Sequence, residues 1–290
     1  MRSFIFLSLL SFSFLLACRS NQIPYYKNNP AEMVGEGIIS TDKFEFRCCL
    51  TKDSNIIFFS AIGWDKDDSM NIDIYYSYFI NGKWSNPVAV PFSTKYNEFD
   101  PMLAPNGKEL YFCSNRDGSI GGSDIWQIPF NGRVFGRPVN LGPSVNSHGD
   151  EWGPSLSKNG QILVFATNGR GGFGKHDLFR CTKSGGTWTP AENLGPRINS
   201  IYEEFDPFVV GSIDKIIFAS DRFGGFCKVD LWETEAKFQS WTTPVNLGEN
   251  INRKDWDYCP FFSADGNTFY FTSHNRDGRR TKADIWKVKR

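Results

Sequence analysis

Apolar residues in this chain come in short alternating runs, each closed by Gly, Pro, Asn or Asp. The run Glu109 to Cys113 alternates and is rich in β-formers, as a half-buried strand should be. A Pro105-Asn106-Gly107 turn precedes it, after the short apolar stretch Met102-Leu103-Ala104. A glycine-rich loop, Asn115 to Gly122, follows and leads into Asp124-Ile125-Trp126-Gln127-Ile128. The turn Asn131-Gly132 then introduces Pro138-Val139-Asn140-Leu141-Gly142. No segment sustains a helical period, so the pattern predicts an all-β chain of short strands.

The pattern repeats. NEFDPMLAPNGKELYF, ending at Phe112, returns as GDEWGPSLSKNGQILVF, EEFDPFVVGSIDKIIF and DWDYCPFFSADGNTFYF, with Phe112, Phe165, Phe218 and Phe271 each 53 residues apart. One step back lies Phe59, in a divergent fifth copy where Arg47-Cys48 replaces Asp-Pro. An acidic–aromatic pair keeps the step through all five: Glu45-Phe46, Glu98-Phe99, Glu151-Trp152, Glu204-Phe205 and Asp257-Tyr258. Four strands per repeat mean blades, and five repeats predict a five-bladed β-propeller of four-stranded antiparallel blades. Six blades would be the alternative, but a sixth repeat is not found. The last repeat reaches only its third strand, so a segment just before Gly37 is expected to close the ring and hide its edge.

These motifs resemble the WD-like, Pro-Asp-type propeller repeat of the TolB class. The residues that carry the likeness are Phe99-Asp100-Pro101, Tyr111 to Arg116, Gly121 to Trp126 and Trp188 to Ser200. The resemblance implies a propeller, a location in the bacterial envelope and a binding role; it does not supply a partner.

The N-terminus changes the picture of where the chain works. Met1-Arg2 is followed by an apolar run to Leu16, and Leu15-Leu16-Ala17-Cys18 resembles the lipobox of bacterial lipoproteins. The expected layout is a signal peptide over 1–17, lipidated Cys18 with a tether over 18–33, and the propeller over 34–290. The membrane is then met through a lipid anchor alone, most simply at the outer membrane. Lys+Arg and Asp+Glu both number 32, which offers no electrostatic reason to expect nucleic acid. Cys48, Cys49, Cys113, Cys181, Cys227 and Cys259 could pair in an oxidising compartment or serve as small buried side chains.

Candidate chemistry is sparse. Asp100, Asp206, Glu151 and Asp257 lie near the inner strands and could imitate the paired carboxylates of a glycosidase. They follow the repeat, whereas a general acid and base need different environments, so the expectation is that they hold backbone. Asp73, Asp124, Asp177, Asp230 and Asp284, with Arg116, Arg222 and Arg276 in the preceding loops, read as once-per-blade ion pairs or loop clamps, and Arg170, shifted by one position, as another. Gly169 to Gly174 matches G-x-G-x-x-G but joins two strands, so it is no dinucleotide loop. Asp65 to Asp73 is dense in oxygen ligands without the Gly and Glu of an EF-hand, which leaves calcium a minor reading; no cofactor and no other metal site is expected.

Strand order puts the second-to-third and fourth-to-first loops on one face. That long-loop face carries Trp64, Arg116, His148, Trp152 and Arg170, and further round Tyr202, Arg222, Trp256 and Arg276. Aromatics with Arg suit protein interfaces and glycan sites; the competing reading makes them core plugs and clamps. The favoured expectation is a non-enzymatic envelope scaffold that binds a protein there. A glycan-binding or glycoside-hydrolysing propeller is the alternative.

Overall fold

The computed structural model describes residues 29–64, 71–238, 240–253, 255–276, 278 and 282–289. Cys18 and the signal and lipobox residues lie outside them, as do residues 65–70 of the acidic loop.

Five antiparallel sheets of one pattern make up the chain. Blade 2 shows it in full: inner strand Glu98–Leu103, then Glu109–Ser114, Asp124–Pro129 and the outer Val139–Asn140. Blades 1, 3 and 4 split the outer strand into two short pieces, such as Thr187–Trp188 and Glu192–Asn193 in blade 3. The inner strand of blade 1 touches both blade 2 and blade 5, so the ring is closed. The protein is a five-bladed β-propeller.

The fourth strand of blade 5 comes from the N-terminal side. Glu32–Met33 pairs with Ala283–Lys289 in the register Glu32↔Lys287 and Met33↔Trp286. This strand starts two residues before the expected boundary at 34. Val34 N–H donates to the Ile285 carbonyl, and Ser40 Oγ bonds Ile285 through both its carbonyl and its N–H. The edge that would otherwise recruit another chain is covered.

Phe59, Phe112, Phe165, Phe218 and Phe271 are all fully buried, one per blade on the second strand, so the period seen in the sequence is the period of the core. All six described cysteines are free thiols, five of them buried.

The inner strands are longer than the apolar stretch Met102-Leu103-Ala104 suggested, beginning at Glu98 in blade 2. Each contains a bulge: the ladder shifts between Phe99 and Met102, and at the matching place in the other four inner strands. A bulge tolerates a proline that a regular central strand would reject, which is how Pro101 sits inside a strand.

Candidate functional site

The bulges bring five residues to the ring axis: Arg47, Asp100, Gly153, Asp206 and Cys259. Each has a positive φ, between 45° and 60°. These residues occupy one repeat position, yet each neighbouring pair differs in chemistry. Arg47 Nη2 donates to the Pro154 carbonyl at 2.9 Å, and its Nη1 lies 3.8 Å from Asp206 Oδ1. Gly153 N–H donates to Asp100 Oδ2 at 2.9 Å, and Cys259 Sγ donates to Asp206 Oδ2 at 3.0 Å. All five blades therefore meet in one polar knot. A Cβ on Gly153 would sit 2.9 Å from Asp206 Cα, so that blade must carry glycine.

Burial sets the electrostatics of the knot. Asp100 and Asp206 are 4% and 5% exposed. Desolvation pushes the Asp100 carboxyl up to about 7, with Asp206 adding to the rise and Arg47 opposing it. Asp206 is raised for the same first reason. Burial works against the Arg47 charge, but the two aspartates outweigh it and hold the guanidinium above its ordinary range.

The sequence grouped Asp100 and Asp206 with Glu151 and Asp257 as four acids obeying one repeat. They belong to two columns. Glu45, Glu98, Glu151, Glu204 and Asp257 are the repeating column, and each accepts the backbone N–H four residues upstream. Four of them also accept a hydroxyl from that same residue: Thr41, Thr94, Ser147 or Ser200. This column anchors the loop that enters each blade, as expected of Glu151 and Asp257. Asp100 and Asp206 sit in the non-repeating column at the axis.

The repeating column also claims the loop arginines. Arg116 Nη2 lies 3.0 Å from Glu98 Oε1, and Arg222 Nη2 lies 2.9 Å from Glu204 Oε1; Arg276 pairs with Asp257 at 3.7 Å. Each guanidinium rests 4.9 Å over the centre of the core Phe of its blade. Each also donates to a carbonyl of the loop ahead of the blade: Phe92, Ile198 or Ile251. Arg170 reaches the carbonyls of Pro143 to Asn146 from its shifted position. In blade 1 Trp64 takes this place, its indole N–H donating to Glu45 at 2.8 Å beside Phe59. The clamp expected from sequence is present, but its acid is the inner-strand Glu, not the Asp that opens the third strand. Asp124, Asp177 and Asp230 instead accept two N–H groups of their own loop and the Asn side chain of the outer strand.

Two triads of metal-ligand type occur among the described residues: Asp100, Asp206 and Cys259, and Cys227, Asp230 and Asp257. The Arg47 guanidinium already pairs with the first. In the second, Asp230 and Asp257 are taken up by loop N–H groups and the Asn246 side chain.

Five of the nine residues singled out on the long-loop face are thus internal clamps: Trp64, Arg116, Arg170, Arg222 and Arg276. Trp152 is half-buried and stacks on His176 at 4.0 Å between ring centres, and His176 Nδ1 meets Glu203 at 2.6 Å. His148, Tyr202 and Trp256 remain exposed. Beside them stand apolar side chains the sequence reading passed over: Phe173, Ile201, Phe223 and Phe226. Phe223 is 89% exposed and Ile201 79%. The loops that carry them touch. Lys175 N–H donates to the Tyr202 carbonyl, Lys228 N–H to the Asp255 carbonyl, and Val229 bridges Trp256. The sector from blade 3 to blade 5 therefore presents one rim of exposed apolar residues. Their signal in the sequence was an apolar residue in a polar loop: Phe173 and Phe226 keep a 53-residue step with Ile120, whereas Phe223 stands in register with Asp117 and Arg170, and Ile201 with Lys95 and His148.

The opposite, short-turn face holds a cavity of about 430 Å³ at the mouth of the channel. Its walls come from every blade: Leu50, Leu103, Leu156, Val209 and Phe262, again 53 residues apart.

No family model matches the chain, and no curated protein matches its sequence. Solved structures do. A protein assigned as TolB from Agrobacterium tumefaciens superposes with a TM-score of 0.53 at 18% identity, over 82% of this chain and 72% of its own. TolB from Acinetobacter baumannii gives 0.52 at 13%, over 86% of this chain and 55% of its own. The α-L-arabinofuranosidase PaAbf62A of Podospora anserina, solved with cellotriose, gives 0.55 at 10%, over 87% and 92%. The likeness is one of fold. It joins TolB proteins and an α-L-arabinofuranosidase alike.

Proposed function

We propose that this chain is a non-enzymatic envelope lipoprotein whose propeller binds another protein through the long-loop face. The carrying observation is the apolar rim of blades 3 to 5, where Phe223, Ile201, Phe226 and Trp256 stand exposed on loops braced against each other. Apolar groups left in water on a rigid loop platform are what interface hot spots are made of. The repeating Glu–Arg clamps supply the rigidity. The lipobox-like Leu15 to Cys18 supports lipid anchoring, and the fold shared with TolB fits an envelope setting.

The second reading, a glycan-cleaving propeller, draws on Asp100 and Asp206 converging at the axis and on the arabinofuranosidase fold. Against it, both carboxylates are almost wholly buried and already hold a backbone N–H, a thiol and a guanidinium. An acid and a base must reach a substrate's glycosidic oxygen and a water. The binding reading needs no cofactor.

The test is capture from solubilised envelope of the source bacterium, with the parent chain beside a Phe223→Ser, Phe226→Ser, Trp256→Ser variant. The reading expects a protein retained by the parent and lost by the variant, whose melting temperature stays within a few degrees. Equal retention by both, or glycan hydrolysis that Asp206→Asn abolishes, sinks it.

A further inference from the structure

The channel mouth on the short-turn face has a chemistry of its own. Leu50, Leu103, Leu156, Val209 and Phe262 form its wall, with Met102, Phe208 and Phe261 beside them. Among the described residues, the charged ones lining it are Lys52 and Lys158, both exposed, two blades apart at the rim. The acids of these turns are taken up by their own turns: Asp53 accepts from Thr51 and Asn55, Asp265 from Ser263 and Asn267, and Asp214 from Ser212 N–H. A hydrocarbon-lined cup with cations at its lip and no acid in its lining matches an amphiphile with an apolar tail and one anionic head.

Asn29 side-chain nitrogen donates to the Lys289 carbonyl, and Lys289 is paired with Thr268 at the short-turn end of blade 5. Asn29, the first described residue, therefore lies on the same face as the cup.

We propose that the channel mouth is a binding site for a long-chain carboxylate, its tail between the five apolar walls and its head at Lys52 and Lys158. This site is independent of the protein-binding rim. It lies on the other face and shares no residue with it.

Calorimetric titration tests it on a chain starting at Ser20, which keeps every described residue and hence the closed ring. The probes are octanoate, decanoate and dodecanoate, held below micelle formation, with dodecanol as the neutral comparison. The expected result is one site per chain, tightening roughly threefold to fourfold per added methylene. Lys52→Met, Lys158→Met should weaken dodecanoate about threefold to tenfold and leave dodecanol unchanged. Ala264→Trp, placed at an exposed rim position so that the core is untouched, should block both. No saturable binding by the parent, affinity independent of chain length, or binding unaltered by Ala264→Trp would overturn the proposal.

Discussion

At the scale of single residues, the polar knot on the axis is the part of the molecule least tolerant of change. Gly153 and Gly160 both have positive φ, 60° and 69°, but only Gly153 has neighbours where a Cβ would go. Alanine at Gly160 should cost about 1 kcal/mol from backbone strain alone. Alanine at Gly153 adds a clash with the Asp206 backbone and should cost about 2–4 kcal/mol, read from denaturant midpoints of the two variants. The knot also makes a pH signature. Asp100 is raised from 3.8 to about 7, so the folded chain keeps a proton that the unfolded chain releases above pH 4. That contribution to stability is full below about pH 4 and drains away as pH rises to 7. Asp206 and Asp257, both raised by burial, act in the same direction. Asp100→Asn keeps an acceptor for Gly153 N–H and removes the titration. Melting temperature should therefore fall less steeply between pH 5 and 8 in the variant than in the parent; parallel curves would refute the assignment.

At the scale of elements, blades 2, 4 and 5 are held by one repeated device: inner-strand acid, loop Arg, core Phe and the carbonyls of the incoming loop. Arg222→Ala leaves Glu204 buried without its cation and should cost about 3 kcal/mol by chemical denaturation. Lysine should not restore it, because one guanidinium serves both Glu204 and the Ile198 carbonyl while covering Phe218. The closing strand makes a separate prediction. Removing residues 29–34 bares the edge of Ala283–Lys289, so the shortened chain should melt lower and self-associate in sedimentation, whereas the parent stays monomeric.

The same scale explains what could be read in advance. Strands and blade count were legible because the unit is repeated five times, and repetition exposes register without any contact being known; ring closure was legible because the last repeat reaches only its third strand. Arg116, Arg222 and Arg276 were legible as clamps for that reason, though not their partner: the Arg and the third-strand Asp are close in sequence, while Glu98, Glu204 and Asp257 meet the Arg only after the hairpin folds. The axis was missed because Asp100-Pro101 reads as a motif. Only lining up Arg47, Asp100, Gly153, Asp206 and Cys259 shows that the column changes from blade to blade. Phe173 and Phe226 were passed over although they keep the 53-residue step with Ile120, because a period marks a repeat position and not its exposure; Phe223 stands in register with Asp117 and Arg170 and gives no apolar period at all.

At the scale of the molecule, the two faces differ in kind. One carries an apolar rim on braced loops; the other carries an apolar cup with a cationic lip. Blades whose interior residues repeat provide the frame, and the positions where the repeat fails carry what is particular to this chain. The central claim is that the rim of blades 3 to 5 meets a protein. Site-specific photocrosslinking in cells of the source organism tests it most directly, with the crosslinker at Phe223 on the rim or at Phe238 in a turn of the opposite face, both fully or nearly fully exposed. The account predicts a discrete protein adduct from position 223 and none of that mass from 238; the same adducts from both positions, or none from 223, would contradict it.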